Sequence, residues 1–304
     1  MSKDLAIVIP AYKKRFFNQT LASISNQTCK DFTLYIGDDA SKEDLYSIVK
    51  LYEGEIRIVY KRFDTNLGCV SLTKQWERCI NLSTTEPYIW LFSDDDEMSS
   101  DAVSSFYKEI KINSQFSIYR FNINVVNDIN KKILTFNNYP FIQTDMDFFH
   151  ARITDSIYSC ITQYIFTRNI FTLNAGFVEF PYAWSSDDAT IILYAEKFGI
   201  KKIYGGIINW RLVEGSNITS SSKYEKLRAK AEFLFADWFH NYFRNRLDKE
   251  ILQYYSSIYI ERRLSKLKFK YVLTSGCMNV IFRMLGFASG TRLLLKTLIA
   301  KFLV

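Results

Sequence analysis

Histidine occurs only twice in this 304-residue chain, proline four times and glycine eleven times. The five cysteines (29, 69, 79, 160 and 277) are scattered, and no C-x-x-C pair is present. With two histidines beside them they make a zinc site improbable, and they read as reduced, buried thiols of a cytoplasmic protein. So little proline and glycine argues against long flexible linkers, and no repeat or low-complexity stretch is present. No run reaches the roughly 18 apolar residues of a membrane-spanning helix. The opening "MSKDLAIVIP" holds an apolar run of six residues ending in proline, too short for a signal-peptide core. Phosphate-binding glycine loops are missing as well. "IPAYKKR" has no glycine where G-x-G-x-x-G would need one, and no Walker-A lysine loop occurs. Any phosphate bound here must be held mainly by a metal ion and side chains.

What is present is a foldable chain, 48 % hydrophobic and 16 % aromatic, which excludes disorder. Its net charge of +7 is unevenly spread. Residues 222–304 carry 16 Lys/Arg against 6 Asp/Glu, and the rest of the chain carries 23 against 26. After Glu261 nine cations follow without an acid. The positive surplus therefore belongs to the C-terminal stretch.

The first hundred residues alternate between two periods. "LAIVIP" (5–10), "FTLYIGDD" (32–39), "IRIVYK" (56–61) and "YIWLF" (88–92) read as buried strands. Helical stripes lie between them: Phe17, Leu21, Ile24; Leu45, Ile48, Val49, Tyr52; and Leu72, Trp76, Cys79, Ile80. This pattern predicts an α/β fold with a mostly parallel central sheet and helices on both faces. Later come a helix through Ala102, Val103, Phe106 and Ile110, strands at 116–126 and near 157–167, and a helix from about 187 to 198. Residues 223–268 read as helical without strong turn signals. The division expected is a domain over 1–221, with halves of about 1–100 and 101–221, and a helical basic region over 222–304.

In such sheets ligands bind beyond the carboxyl ends of the strands. Pro10, Ala11 and Tyr12 follow the first strand, Asp38 and Asp39 the second, Asn66–Gly68 the third, and Asp94, Asp95 and Asp96 the fourth. Three adjacent carboxylates repel one another. A solvated turn or a helix N-terminus would account for one or two of them. A divalent cation, Mn2+ or Mg2+, accounts for three, because such ions favour oxygen ligands completed by substrate phosphates.

"VIPAY", "IGDDAS", "NLG" and "SDDD", in this order and spacing, resemble family 2 glycosyltransferases of the GT-A fold. The likeness covers about 100 residues, with weaker agreement to about 221. It implies an inverting enzyme that uses a nucleotide-diphospho-sugar and a divalent cation. By the same resemblance Pro10, Ala11 and Tyr12 lie against the nucleobase. Asp39 hydrogen-bonds the base or ribose with Asp38 beside it, and Asn66 and Gly68 belong to the nucleotide loop. Asp94 approaches the ribose, and Asp95 is the main metal ligand, helped by Asp94 and Asp96. The chain departs from the family at Ser93, where an acid is common, and at Thr73, where an arginine is common; Lys74 is the neighbouring substitute.

A second acidic pair stands in "PYAWSSDDATIILYAEKFG". Ser186 can cap a helix while Asp187 and Asp188 occupy its first turn. Glycosyl transfer also needs a base for the acceptor hydroxyl. The resemblance assigns that role to Asp188, with Asp187 as orienter or substitute. Trp184 is either a platform for an acceptor sugar or a core residue. Arg211, in "NWRLVEGSN", is a candidate contact of the diphosphate. His150 and His240 have no motif around them and read as structural. The tail after Glu261 suits either a packed appendage or a helix lying on an anionic membrane.

The function expected is transfer of a sugar, from a UDP-sugar by preference, to a glycan or lipid-linked acceptor in surface polysaccharide synthesis. The protein would be cytoplasmic and peripheral on the cytoplasmic membrane face. Two other classes compete. One is a non-catalytic nucleotide- or carbohydrate-binding module on the same fold. The other is a nucleic-acid-binding protein using the basic tail, disfavoured because no nucleic-acid module is visible.

Overall fold

The computed structural model describes residues 4–127, 129, 131–212, 224–274 and 276–302. It divides into two compact units. The first comprises residues 1–148, 158–177 and 190–213, and the second 149–157, 178–189 and 214–304. The second unit thus takes two short segments from within the range expected to form one domain.

The chain begins with β1 (Leu5–Ala11), α1 (Phe17–Ser25), β2 (Phe32–Asp38), α2 (Tyr46–Val49), β3 (Ile58–Arg62), α3 (Leu72–Ile80) and β4 (Tyr88–Leu91). It continues through β5 (Glu97–Met98), α4 (Ala102–Ile112), β6 (Ile118–Val126), β7 (Lys132–Phe136), β8 (Ile142–Gln143) and α5 (Asp145–Ile153). Then follow β9 (Tyr164–Thr167), α6 (Arg168–Leu173), α7 (Ser186–Ala195) and β10 (Ile200–Arg211). The helical region holds α8 (Glu225–Phe243), α9 (Lys249–Lys266), α10 (Phe269–Thr274), α11 (Cys277–Leu285) and α12 (Phe287–Phe302). Helices cover both faces of the sheet.

The sheet runs β3-β2-β1-β4-β9-β6-β10-β5, with β7 on β6 and β8 on β10. Its first four strands are parallel, as the alternation predicts. Beyond β4 the sheet is mixed, because β9 enters antiparallel between β4 and β6 while β10 runs parallel to β6. β1 and β2 are buried almost throughout, which is why they read as continuous apolar runs. β3 forms the edge and carries exposed Lys61 and Arg62, charges that discourage pairing with another chain.

The core of this unit is aromatic. Trp90 stacks on Phe121 at 4.9 Å, and its indole N–H donates to the Thr162 carbonyl at 2.8 Å. Phe17, Leu21 and Ile24 of α1 are buried as the stripe predicts. In α3, Cys79 and Ile80 are buried, but Thr73 and Gln75 go inward where Leu72 and Trp76 were expected. Gln75 can do so because its amide nitrogen reaches the Cys79 sulfur at 3.2 Å. The expected strand at 157–167 shrinks to β9, preceded by a tight turn at Ile161–Gln163. β10 breaks register with β6 between Lys202 and Ile207, where Gly205 and Gly206 take φ of +80° and +67°. A Cβ at Gly206 would meet the Phe121 ring at 2.8 Å, so glycine is needed there.

In the second unit the helical stretch breaks at residues 244–248 into α8 and α9. Phe149 packs on Phe239 and Phe243 at 4.7 and 4.8 Å. Both histidines are structural here: His150 meets Tyr255 edge-on, and His240 Nδ1 lies 3.3 Å from Ser256 Oγ. Three cysteines are buried, but Cys69 is exposed and Cys29 half-buried, so the expectation of uniformly buried thiols does not hold. Among the described residues no helix is long and apolar enough to cross a membrane.

Candidate active site

Because β1 to β4 are parallel, their C-terminal ends share one edge, and the polar clusters of the first unit gather there. The segment after β1 is held from two sides. Tyr12 and Lys13 both donate their N–H groups to Asp94 Oδ2 at 2.7 Å, and Ser41 Oγ donates to the Tyr12 carbonyl at 2.6 Å. Pro10 and Ala11 end the strand, leaving Tyr12 39 % exposed at the edge.

Asp38 and Asp39 are buried and do different work. Asp38 accepts from Ser41 N (2.7 Å), Tyr60 OH (2.6 Å) and Arg62 Nη1 (2.8 Å). Burial and this carboxylate raise the Tyr60 phenol above its usual range. Asp39 accepts the N–H of Leu67 at 2.7 Å and of Gly68 at 2.9 Å, which fixes the loop after β3. A side chain at Gly68 would stand 2.6 Å from Asp39 Oδ2, so the approach requires glycine. Arg78 completes the arrangement: its guanidinium pairs with Asp39, donates to the Thr65 carbonyl at 2.8 Å and lies 3.9 Å over the Phe63 ring. Lys74, named as the substitute for a missing arginine, instead pairs with Glu77 at 2.8 Å on the open side of α3. The cation at Asp39 comes from one helical turn further along. Asn66 closes its own turn by accepting from Cys69 N at 2.8 Å.

The three aspartates after β4 are not equivalent. Asp94 binds the backbone after β1, and Asp96 accepts the Arg211 N–H at 2.8 Å. Burial and the neighbouring Asp95 raise Asp94 to about 6 and Asp96 to about 7. Asp95 accepts no hydrogen bond on its carboxylate from the described residues. Among those residues no three His, Cys, Asp or Glu side chains converge on a point that could hold a metal ion. Backbone N–H groups engage one carboxylate oxygen of Asp94 and one of Asp96. What remains is one unpartnered carboxylate in an acid-rich turn. That donor set fits a divalent cation held by Asp95 and by the phosphates of a bound nucleotide.

Arg211, expected near the diphosphate, is 2 % exposed and fully engaged. Its guanidinium donates to the carbonyls of Asp95 (2.8 Å) and Asn127 (2.9 Å) and to Glu97 (2.6 Å), and it lies 4.1 Å over the Phe16 ring. It holds the acidic turn in shape.

In the second unit, Asp187 and Asp188 occupy the first turn of α7. Ser186 lies inside the helix, and its hydroxyl accepts from Phe180 N at 3.0 Å, so it tethers the preceding loop. Asp188 is buried, and both its oxygens are taken by Arg152, from Nε at 2.7 Å and Nη2 at 2.9 Å. Arg152 also donates to the Ile157 carbonyl. Asp187 is half-buried, and desolvation together with Asp188 pushes it up to about 7 against the pull of Arg152. The loop before the pair is strained: Tyr182, Ala183 and Ser185 take φ of +55°, +55° and +62°. Trp184 is buried between Tyr182 and Tyr224, at ring distances of 5.6 and 6.4 Å, with no partner for its indole N–H among the described residues. Reading the sequence missed Arg78 and Arg152. Arg78 had one signal, its place a turn beyond Lys74; Arg152 had none.

Comparison with known proteins bears on the family and the fold. Residues 6–166, more than half of the chain, match the model of glycosyl transferase family 2. The structure of residues 1–349 of S. aureus TarS in complex with UDP-GlcNAc superposes with a TM-score of 0.68 at 15 % identity, covering 92 % of this chain and 80 % of that one. A second structure of S. aureus TarS gives 0.66 at 14 % identity, covering 92 % of this chain and 48 % of that one. None of the curated proteins matches the chain in sequence. With the family model spanning β1 to β9, over the strand ends that carry Asp39 and Asp95, this chain belongs to glycosyl transferase family 2 and is a glycosyltransferase of the GT-A fold.

Proposed function

We propose that the protein moves a sugar from a UDP-sugar to a hydroxyl of a glycan or lipid-linked acceptor, with inversion, in surface polysaccharide synthesis at an anionic membrane surface. The observation that carries the donor reading is the Asp95 carboxylate, left without a partner in a turn whose other acids and backbone are held by Tyr12, Lys13 and Arg211. Support for uridine comes from the TarS structures in complex with UDP-GlcNAc and with UDP, the latter at a TM-score of 0.55, 13 % identity and coverage of 93 % and 89 %. In this reading Pro10, Ala11 and Tyr12 border the base, and Asp38 and Asp39 shape its pocket through the loop at Asn66–Gly68.

The acceptor oxygen forms a bond to the anomeric carbon as the bond to the diphosphate breaks, and the electron pair leaves on the phosphate. A divalent cation on Asp95 would supply charge stabilisation to that leaving group. The hydroxyl proton goes to the acidic pair. Asp187 is favoured over Asp188 as its acceptor, because Asp188 is held by Arg152 on both oxygens and a base must have a free one. Asp188 then keeps the pair oriented and Trp184 borders the acceptor sugar. A base near 7 is matched to proton transfer at neutral pH.

Calorimetric titration of UDP with and without manganese tests the donor half. Wild type is expected to bind UDP more tightly with manganese, and Asp95→Ala to lose that increment. Equal manganese dependence in the variant overturns the assignment of Asp95.

A further inference from the structure

The last helix has one side too many for a water-facing element. On its packed side are Gly290, Leu294 and Thr297, with Gly290 so close to Phe282 that a Cβ would stand 2.8 Å from that ring. On its open side Leu295 and Ile299 are 53 % and 58 % exposed. Together with Ala288 they fall within about 40° of one another on a helix of 3.6 residues per turn. An exposed helix face is ordinarily polar, so a line of aliphatic residues there indicates an apolar surrounding. Arg292 and Lys296 lie along one flank of the line, with stems long enough to reach away from it.

Charge does not follow the sequence count. At least six of the nine cations after Glu261 are paired with acids of the same unit: Arg262 and Lys266 with Asp155, Arg263 with Glu232, Lys268 with Glu225, Arg283 with Asp237, and Lys296 with Glu261. These pairs join the C-terminal helices to the rest of the unit. Attraction to an anionic surface therefore rests on few charges, chiefly Arg292, which has no ion pair among the described residues, and Lys296, whose pair with Glu261 is exposed.

We propose that this face of α12 lies on an anionic bilayer, with Leu295 and Ile299 entering the boundary between headgroups and acyl chains and Arg292 and Lys296 reaching lipid phosphates. This deepens the membrane reading above and is independent of the transfer chemistry. A bilayer fits better than a second copy of the chain. A two-fold contact through this line would set Arg292, which has no ion pair among the described residues, beside its copy in the partner, whereas lipid phosphates would neutralise it.

The test is flotation of the full chain with vesicles of phosphatidylcholine containing about 30 % phosphatidylglycerol. Wild type is expected to float with these vesicles and much less with phosphatidylcholine alone. Leu295→Asp/Ile299→Asp is expected to weaken partitioning about thirtyfold or more, with thermal stability and UDP binding unchanged. If that variant fails to fold, Leu295→Ser/Ile299→Ser replaces it and is expected to weaken partitioning about tenfold. Absence of flotation, flotation unchanged in the variants, or equal binding to neutral vesicles overturns the proposal. So does a concentration-dependent dimer that the variants abolish without any flotation. UDP titration on the same samples reports the transferase site separately, so either reading can fail alone.

Discussion

Asp187 and Asp188 are the same side chain one residue apart, and the fold makes them different acids. Arg152 takes both oxygens of Asp188, while burial and that neighbouring carboxylate raise Asp187 to about 7. Asp187→Asn is therefore expected to lower single-turnover transfer by roughly a hundredfold or more at unchanged UDP affinity. Asp188→Asn removes the neighbouring negative charge, so the rising limb of the pH–rate profile is expected to move to lower pH. A wild-type profile in that variant would show that the pair does not act together. Stability carries the same signature. With its folded pKa raised above the ordinary carboxylate value, Asp187 binds a proton in the folded state that the unfolded chain has already lost between about pH 4 and 7. Its contribution is present at low pH and disappears as pH rises through 7. Asp187→Asn should accordingly be more stable than wild type at pH 8 by on the order of 1–2 kcal/mol, a gap that closes by about pH 4 in urea melts. The pair itself was legible in the sequence, as a helix-start motif. Which member is free was not, because Arg152 lies 36 residues from Asp188 and no local pattern links them.

At the scale of elements, the parallel half of the sheet was readable because β1 and β2 are buried on both faces and turn signals bound them. The mixed half was not: β9 has four residues, and its place between β4 and β6 is set by long-range pairing. The inward turn of Gln75 was equally hidden, since only its partner in the folded state makes a buried amide acceptable. β10 shows what an element can position. It delivers Arg211 to the turn after β4, where four groups receive the guanidinium. Arg211→Ala would leave Glu97 and two carbonyls without their donor and is expected to cost about 3 kcal/mol in denaturant unfolding. UDP affinity should fall with it, because the turn carrying Asp95 loses its brace. Arg211→Lys is expected to restore little, as an ammonium cannot serve several carbonyls in one plane.

On the scale of the molecule, charge counted along the chain misled where charge counted in space does not. At least six of the nine cations in the acid-free tail pair with Asp155, Glu225, Glu232, Asp237 and Glu261. Val272, Cys277 and Ile281 are fully buried as well. Truncation after Glu261 is therefore expected to disrupt the helical unit, seen as loss of α-helical circular dichroism beyond the removed residues and as aggregation. A soluble truncated chain with the remaining helices intact would make the tail a mere appendage. The discontinuity of the units also has a consequence in time. Proteins emerge from the ribosome N-terminus first, and domains fold as units when their parts are available. The sheet with the residues proposed to hold the nucleotide is complete once β10 has been made, whereas the segments at 149–157 and 178–189 must wait for α8 to α12. During synthesis the chain should thus acquire a donor-binding sheet before it acquires a fixed base, an order in which a half-made enzyme can hold a nucleotide sugar without discharging it.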